Sequence, residues 1–549
     1  MKDRVIEFIS KSINYPKEEI KNFIEIPPQE IFGDYSMPCF FLSKIYSKPP
    51  VEVAYELMRT LSSKLPKEII RVEQKGPYIN FFIDKKLLAK EVLSKSVLDE
   101  YGISHEKEKI VLEHTSVNPN ASPHVGRARN SIIGDSIARI LKFRGNKVET
   151  HYYVNDVSKQ VAILALEFDE NSSFEDMLDR YVSASEKVSK SPALEKKVFE
   201  LLEKFESGDK EVKKKFQKIV SICVEGQKKI FEKFDIKFDY FDFESKYIGK
   251  LSNLVLDKLK KTGKVFQDEE GRLVLNQSGT PVAQKMKSPY FVLTRSNGTG
   301  LYGLRDLAYT IEKSKKGKNI IVLGEDQKLY FEQISEALKL LKVPIPIVVH
   351  YSYVLISTSE GAKKMSTRKG ELVLLEDFFN EAFSRAKKEV EKRNSKGDPK
   401  KIAIAAIKYS MLRNDNDKNI IFDWNHSLNF EGDSGPYLQY SYARASSILR
   451  KFNGKFSKFI IPELSSSEIH LIKQLSLFPE VVEKASKSFS PSIIANYSFQ
   501  LAKSFNEFYH SCPVINDINE QFRLRLVMAF RKTIKKCLFL LGIEVMEEM

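Results

Sequence analysis

Cysteine is scarce, long apolar runs are missing, and there is no internal repeat or low-complexity segment. The four cysteines among 549 residues, Cys39, Cys223, Cys512 and Cys537, lie far apart and form no C-x-x-C pair. That argues against a disulfide framework or a zinc ribbon and fits a reducing cytoplasm. The longest nearly uncharged apolar stretches, such as Cys537–Ile543, fall well short of the roughly 20 residues a spanning helix needs, so no membrane association is expected. The start, Met1-Lys2-Asp3-Arg4-Val5-Ile6-Glu7, mixes charge signs without an apolar h-region, so no signal peptide is expected. Acid is the minority charge: 73 Asp plus Glu stand against 88 Lys plus Arg, a net +15. That excess suits a polyanionic partner and a merely lysine-rich chain about equally. With 42% apolar and 29% charged residues the profile is soluble and globular. At roughly 150 residues per domain the length holds three or four domains, too many for a single small binding module.

Residues 1–100 read as a separate α+β domain. Val53–Leu65 has helical spacing, and the turn Gly76-Pro77 separates a strand around Val72 from the aromatic run Tyr78–Ile83. From about 108 the pattern becomes β-α-β. Ile110–Leu112 is a short buried-strand candidate and Ser116–Pro123 is loop. Ile132, Ile133, Ile137, Ile140 and Leu141 recur at helical spacing, Gly145 suits a helix C-cap, and Val148–Val154 is the next strand. A second unit repeats this as strand Asn319–Leu323, helix Leu329–Leu341 and strand Ile347–Val354. Such alternation predicts an α/β domain over 101–375 with a parallel, doubly wound sheet. A helical, Lys/Glu-rich insertion is expected at about 160–250, with Val212, Phe216, Ile219, Val220 and Cys223 on one face. Its lysines, Lys213–Lys215, Lys228 and Lys229, read as a solvated face rather than a nucleic-acid contact. Residues 376–549 are mostly of helical period.

Two loops carry chemistry. Asn118–Arg127 joins a buried strand to a helix N-terminus, where an open α/β sheet binds nucleotides because free N–H groups and the helix dipole face the phosphates. Gly126 lets a ring or phosphate approach the backbone. The second loop, Lys363-Lys364-Met365-Ser366-Thr367-Arg368-Lys369-Gly370, suits a clamp on a triphosphate. Singly, the first is more commonly a capping histidine and the second any solvated basic loop. Together, in this order and about 240 residues apart, they are far more specific.

On these residues the chain resembles a class I aminoacyl-tRNA synthetase, and within that class the arginyl-tRNA synthetases. His124-Val125-Gly126-Arg127 resembles the HIGH signature, and Lys364-Met365-Ser366-Thr367 the KMSK signature. Tyr302-Gly303-Leu304-Arg305-Asp306 resembles the family's Y-x-x-R-D element. Gly435–Tyr440 with Ala443-Arg444, and Ala502–Asn506 with Phe508–His510, resemble its anticodon-binding domain. Gly33-Asp34-Tyr35 and Gly76–Phe82 resemble its N-terminal tRNA-contacting domain. The resemblance covers essentially the whole chain.

It implies a Rossmann-type catalytic domain at 101–375, an N-terminal α+β tRNA-contacting domain at 1–100 and an all-α anticodon-binding domain at 376–549. It implies ATP-dependent formation of arginyl-adenylate from L-arginine, then transfer to the 3′-terminal adenosine of tRNA(Arg), in a cytoplasmic monomer. ATP arrives as its Mg²⁺ complex, and no protein metal ligand is expected. Glu113, Asn118, Tyr302, Asp306 and Gln327 would bind arginine, Asp306 pairing with the guanidinium and the Tyr302 ring covering the stem. Read without the family, Asp306 is equally a surface carboxylate paired with Arg305. His124, Gly126, Lys364, Ser366 and Lys369 would hold ATP and pyrophosphate. Asn80, Phe81 and Phe82 would touch tRNA, with exposed aromatics stacking on unpaired bases. Three departures concern one charge: Arg127 stands where the signature has His, Thr367 where it often has Lys, and Ala121 where a compensating lysine is common. Arg127 then either restores the charge, making it a catalytic residue beside His124, Lys364 and Ser366, or marks a degenerate paralogue that binds tRNA with weak activation.

Overall fold

The computed structural model describes residues 1–104, 106–358, 361–364 and 373–549, with the backbone alone at 356–358 and 361–364. At its centre is a five-stranded, all-parallel sheet. The order is Ile347–Tyr351, Lys318–Gly324, Lys109–Glu113, Lys147–Val154, Tyr240–Phe243. The chain leaves Lys109–Glu113 towards one edge and returns to its other side, so the switch point lies between Lys109–Glu113 and Lys318–Gly324. An open sheet of this kind binds ligands beyond its strand C-termini at that point. Ile110, Val111, Leu112, Ile320, Ile321 and Val322 are buried, as strands covered on both faces require. Helix Val125–Phe143 buries Ile132, Ile133, Ile137, Ile140 and Leu141. Gly145 follows at φ 99°, where a Cβ would lie 2.8 Å from the Glu106 carbonyl oxygen.

The helical insertion is narrower than expected, with helices from Lys159–Glu167 to Lys210–Lys233. Tyr240–Phe243, inside the expected insertion, is instead the edge strand of the central sheet. A small antiparallel sheet, Val265–Gln267, Leu273–Asn276 and Tyr290–Val292, was not foreseen. The strand expected over Ile347–Val354 breaks at Ser352, whose N–H turns to the Asn416 carbonyl (2.9 Å). The chain resumes as Val354–Thr358, pairing with Gly361–Lys364 and with Ile420–Phe422.

By its internal contacts the chain forms two compact units, one of 1–101, 448–478 and 503–533, the other of 102–447, 479–502 and 534–549. The central sheet belongs to the second. In the first, a three-stranded antiparallel sheet has Tyr78–Ile83 in the middle, between Tyr35–Pro38 and Ile69–Lys75. Residues far apart in sequence join within this unit. Lys473 reaches Glu30 (2.8 Å) and Asp34 (3.0 Å), and the Tyr101 hydroxyl donates to the Leu475 carbonyl (2.8 Å). The expected tRNA-contacting side chains are not exposed there. Asn80 and Phe81 are 4% and 0% exposed, and the Asn80 side-chain oxygen accepts from the Ser36 hydroxyl (2.7 Å). Phe82 is 9% exposed beneath the Arg71 guanidinium, 3.8 Å from its ring centroid. Both faces of a central strand are covered here, so none of the three offers a stacking surface.

Candidate active site

The loop after Lys109–Glu113 is held in an unusual course by buried polar groups. Thr115 and Ser116 have φ of 79° and 44°, a left-handed conformation that costs side-chain-bearing residues about 1 kcal/mol or more each. The Asn130 side-chain oxygen accepts the Thr115 N–H (2.8 Å), and the Thr115 and Ser131 hydroxyls are 3.0 Å apart. Further along, the Tyr152 hydroxyl accepts the Val117 N–H (3.1 Å) and donates to Gln227 Oε1 (2.8 Å). Gln227 Nε2 donates to the carbonyls of Asn118 (3.0 Å) and Ala121 (2.9 Å). The insertion helix thus fixes the loop that carries Asn118. Gly134 leaves room for the His114 ring, 2.2 Å from where a Cβ would lie.

His124 caps helix Val125–Phe143, its Nδ1 accepting the Arg127 N–H (3.3 Å). Burial, with the Arg127 charge adding to it, pushes the imidazole down to about 4. It is therefore neutral near pH 7, with Nδ1 the acceptor and Nε2 the donor. A Cβ on Gly126 would stand 3.1 Å from this ring, so the glycine makes room for the histidine itself. The Val125 N–H donates to the Val373 carbonyl (3.1 Å) and the Leu375 N–H to the Pro123 carbonyl (2.8 Å). The loop is thereby tied to the segment that follows the second signature. Arg129, fully buried in this helix, donates to the carbonyls of Ser352 (2.6 Å), Lys418 (2.7 Å) and Asp415 (3.1 Å). It anchors the helix to the strand that leads into the second signature. Arg127 is half-buried and has no ion pair among the described residues. Asp135, two turns further along the helix, meets Arg139 (2.8 Å) and Lys408 (3.7 Å). Of the second signature, Lys364 ends a strand whose backbone alone is described. Ser366, Thr367 and Lys369 lie outside the described residues.

Glu113, Asn118, Tyr302, Asp306 and Gln327 line one cavity of about 380 Å³ at the switch point. Helix Tyr302–Ser314 puts Tyr302 and Asp306 one turn apart on one face. Gly303 lets this helix sit close to Phe291, whose ring a Cβ would meet at 2.6 Å. Tyr302, 56% exposed, stands at the rim with its ring 5.3 Å from that of Tyr330. Asp306 accepts from the Tyr330 hydroxyl rather than pairing with Arg305. Arg305 binds Glu244 (3.0 Å) and Glu206, and Glu113 pairs with the buried Lys313. Burial, against the Tyr330 hydrogen bond, pushes Asp306 up to about 6. Burial and the charge of Asp306 push Glu244 up to about 8, with Arg305 opposing. Tyr153, Glu244 and Tyr330 also line the cavity, and Tyr153 stacks on Tyr309 at 4.5 Å. Sequence reasoning missed these three, and Lys313, Gln227 and Arg129 as well. Their one signal was polarity at helix or strand positions otherwise apolar.

Three family matches tile the chain. Residues 1–83 match the arginyl tRNA synthetase N-terminal domain, 89–424 the catalytic domain of class I (R) tRNA synthetases, and 438–549 the DALR anticodon-binding domain. The arginine–tRNA ligase of Methanocaldococcus jannaschii is 37% identical, with 98% of this chain and 97% of that protein aligned. That of Clostridium perfringens is 33% identical over the full length of both. The arginyl-tRNA synthetase of Thermus thermophilus superposes with a TM-score of 0.84 at 27% identity, covering 100% of this chain and 99% of that one. Fold and cavity thus define a class I aminoacyl-tRNA synthetase, an ATP-using class. Within it, the chain belongs to the arginyl-tRNA synthetase family, the arginine–tRNA ligases. Nothing in these matches supports a degenerate paralogue. Among the described residues no helix is long and apolar enough to cross a membrane, and no group of three or more His, Cys, Asp or Glu could hold a metal.

Proposed function

We propose that this chain charges tRNA(Arg) in two steps, arginyl-adenylate formation and then transfer to the 3′-terminal adenosine. One observation carries the arginine specificity. Of the four carboxylates that line the cavity, Glu113 pairs with Lys313, Glu244 pairs with Arg305 and Asp326 is exposed, whereas Asp306 accepts from the neutral Tyr330 hydroxyl and has no ion pair among the described residues. Inside the cavity that leaves the Asp306 carboxylate for one guanidinium, and the oxygens of Asn118 and Gln327 line the same space. In the first step a carboxylate oxygen of arginine attacks the α-phosphorus of ATP and pyrophosphate leaves. In the second a ribose hydroxyl attacks the arginyl carbonyl carbon, AMP leaves and the hydroxyl proton is released.

Little covalent work falls to the protein, so positioning and charge do the catalysis. The helix N-terminus at His124 and Gly126 faces the phosphates, Arg127 adds a cation there, and Lys364, Ser366 and Lys369 hold the departing pyrophosphate. Mg²⁺ travels with ATP on its phosphate oxygens. Residues 1–100 contact the tRNA, the helices of 376–549 read the anticodon, and the enzyme works as a cytoplasmic monomer. ATP–pyrophosphate exchange tests the reading, run with arginine, lysine or citrulline, each with and without tRNA(Arg). Exchange with arginine alone among the three supports it. No exchange in either arm, or exchange driven by citrulline, which lacks the charge, defeats it.

A further inference from the structure

At the switch point one side chain bridges the two central strands. Lys109–Glu113 and Lys318–Gly324 run in register as far as Glu113 and Ile321. Beyond that pair they part. The His114 N–H turns to the His151 carbonyl on strand Lys147–Val154 (3.2 Å), and Thr115 and Ser116 take the left-handed conformation. Asn130, in the second turn of helix Val125–Phe143, reaches into the opening. Its Oδ1 accepts the Thr115 N–H (2.8 Å) and its Nδ2 donates to the Val322 carbonyl (3.0 Å). A donor on one side and an acceptor on the other fix which end of the amide is which. The carboxamide thus adds a rung to the ladder where no direct backbone bond joins the strands.

Local propensity does not account for this residue. Asparagine is a weak helix former, and at 3% exposure its amide would be costly if left unbonded. Its neighbours give the reason. Glu113 and Ser116 flank the stretch that holds Thr115, Ile321 and Leu323 flank Val322, and all four line the cavity at the switch point. The same two segments lead on to Asn118 and Gln327, which line it too. The support is fixed as well. Arg129, the preceding residue, is held by the carbonyls of Ser352, Lys418 and Asp415. An amide projecting from an anchored helix holds whatever it touches at a set distance.

We propose that Asn130 is a positioning residue that sets the width of the arginine cavity: its amide spaces the two strand ends, and that spacing selects the length of the guanidinium side chain accepted. The proposal rests on the arginine reading above. The charge of Asp306 is the same for guanidinium compounds of any chain length, so length has to be read by the walls. A close-packed wall moves with the length of whatever spaces it.

The test measures, by calorimetry on the full-length enzyme, the affinities for arginine, for homoarginine, which is one methylene longer, and for ATP. Asn130→Gln keeps both polar groups on a side chain one methylene longer. Asn130→Asp keeps the length and the acceptor for Thr115 but faces the Val322 carbonyl without a donor. Ile137→Val, at a buried position of the same helix away from the cavity, controls for lost stability. Wild type should prefer arginine by about tenfold or more, the discrimination one methylene commonly supports. Asn130→Gln should bring that preference close to one and Asn130→Asp should lower it severalfold, both with ATP affinity nearly unchanged. Ile137→Val should lower the unfolding temperature and keep the preference. If Asn130→Gln does not fold, Asn130→Asp decides. A preference that survives in the folded Asn130 variants overturns the proposal, and so does its absence from the wild type or its loss in Ile137→Val. Equal weakening of arginine, homoarginine and ATP also overturns it, since that leaves Asn130 a structural role alone. A wild type that binds no arginine defeats the arginine reading and this proposal together, whereas arginine binding with an unmoved preference defeats the proposal alone.

Discussion

The proposed amino-acid end and the proposed phosphate end of the site are built on opposite plans. Around the arginine cavity the charges are buried and already paired: Lys313 with Glu113, Arg305 with Glu244 and Glu206, and Tyr330 on Asp306. At the phosphate end stand a neutral histidine, a helix N-terminus and a half-buried arginine without an ion pair among the described residues. The difference follows from what each end receives. A single guanidinium leaving water must meet one fixed countercharge in a weakly screening interior, so every other charge there has to be cancelled beforehand. A triphosphate keeps much of its solvent and takes backbone N–H groups and loop cations. Substitutions at the two ends should therefore separate into effects on arginine binding and effects on turnover.

The largest effect is expected where a buried pair is broken. Lys313→Met leaves Glu113 uncompensated and should lower stability by about 3–5 kcal/mol. Lys313→Met with Glu113→Gln should recover most of it, as when both partners of a buried pair are replaced. Thermal or urea unfolding of the two variants reads this directly, and equal losses in both would show that the pair does not organise the wall.

Asp306→Asn keeps the shape and removes a cavity charge that has no ion pair among the described residues. The arginine KM should rise by a factor worth about 2–4 kcal/mol, with the ATP KM nearly unchanged. An unaltered arginine KM in pyrophosphate exchange would take Asp306 out of the site.

Arg127 probes the other end. If its guanidinium supplies the cation absent at Ala121 and Thr367, Arg127→Ala should lower kcat for adenylate formation by about 10²-fold and leave the arginine KM almost as it was. Arg127→His, without the usual lysine, should recover part of that loss. A histidine variant faster than the wild type would mean that the arginine is a mark of decay.

The smallest effect is one of pH. Substrate arginine stays charged throughout, and of the two cavity carboxyls that burial raises, Glu244 to about 8 and Asp306 to about 6, only Asp306 takes up its proton as pH falls through 6. With its carboxyl raised to about 6, kcat/KM for arginine should decline as pH falls through 6, because protonation removes the countercharge. His124, pushed down to about 4, stays neutral across that range and adds no second limb. A limb centred near 4 would mean that the carboxyl is not raised, and persistence of the limb near 6 in Asp306→Asn would assign it to another group.

Much of the lining of the candidate cavity was legible before the fold was known, and for a local reason. Tyr302 and Asp306 are one helical turn apart, and Glu113 ends the strand whose loop carries Asn118, so the positions matching the family's motifs already sat together. Gly145 and the turn at Gly76 were readable because glycine marks backbone that other residues avoid. The aromatic run Tyr78–Ile83 was right as a strand and misleading as a surface. Alternation predicts one buried face, yet Phe81 and Phe82 are both covered.

The sequence alone determined the β-α-β alternation, the insertion between its halves and the loop-to-helix setting of the first signature, because hydrophobic period and turn chemistry act over a few residues. Only the tertiary structure decided which charges cancel. Lys313 meets Glu113 across 200 residues, Arg305 meets Glu206 across 99, and Gln227 reaches back 106 to hold the loop at Ala121. No local pattern encodes such partners. A buried charge takes whichever countercharge the packing of distant elements brings within reach, and that choice left Asp306 without an ion pair among the described residues.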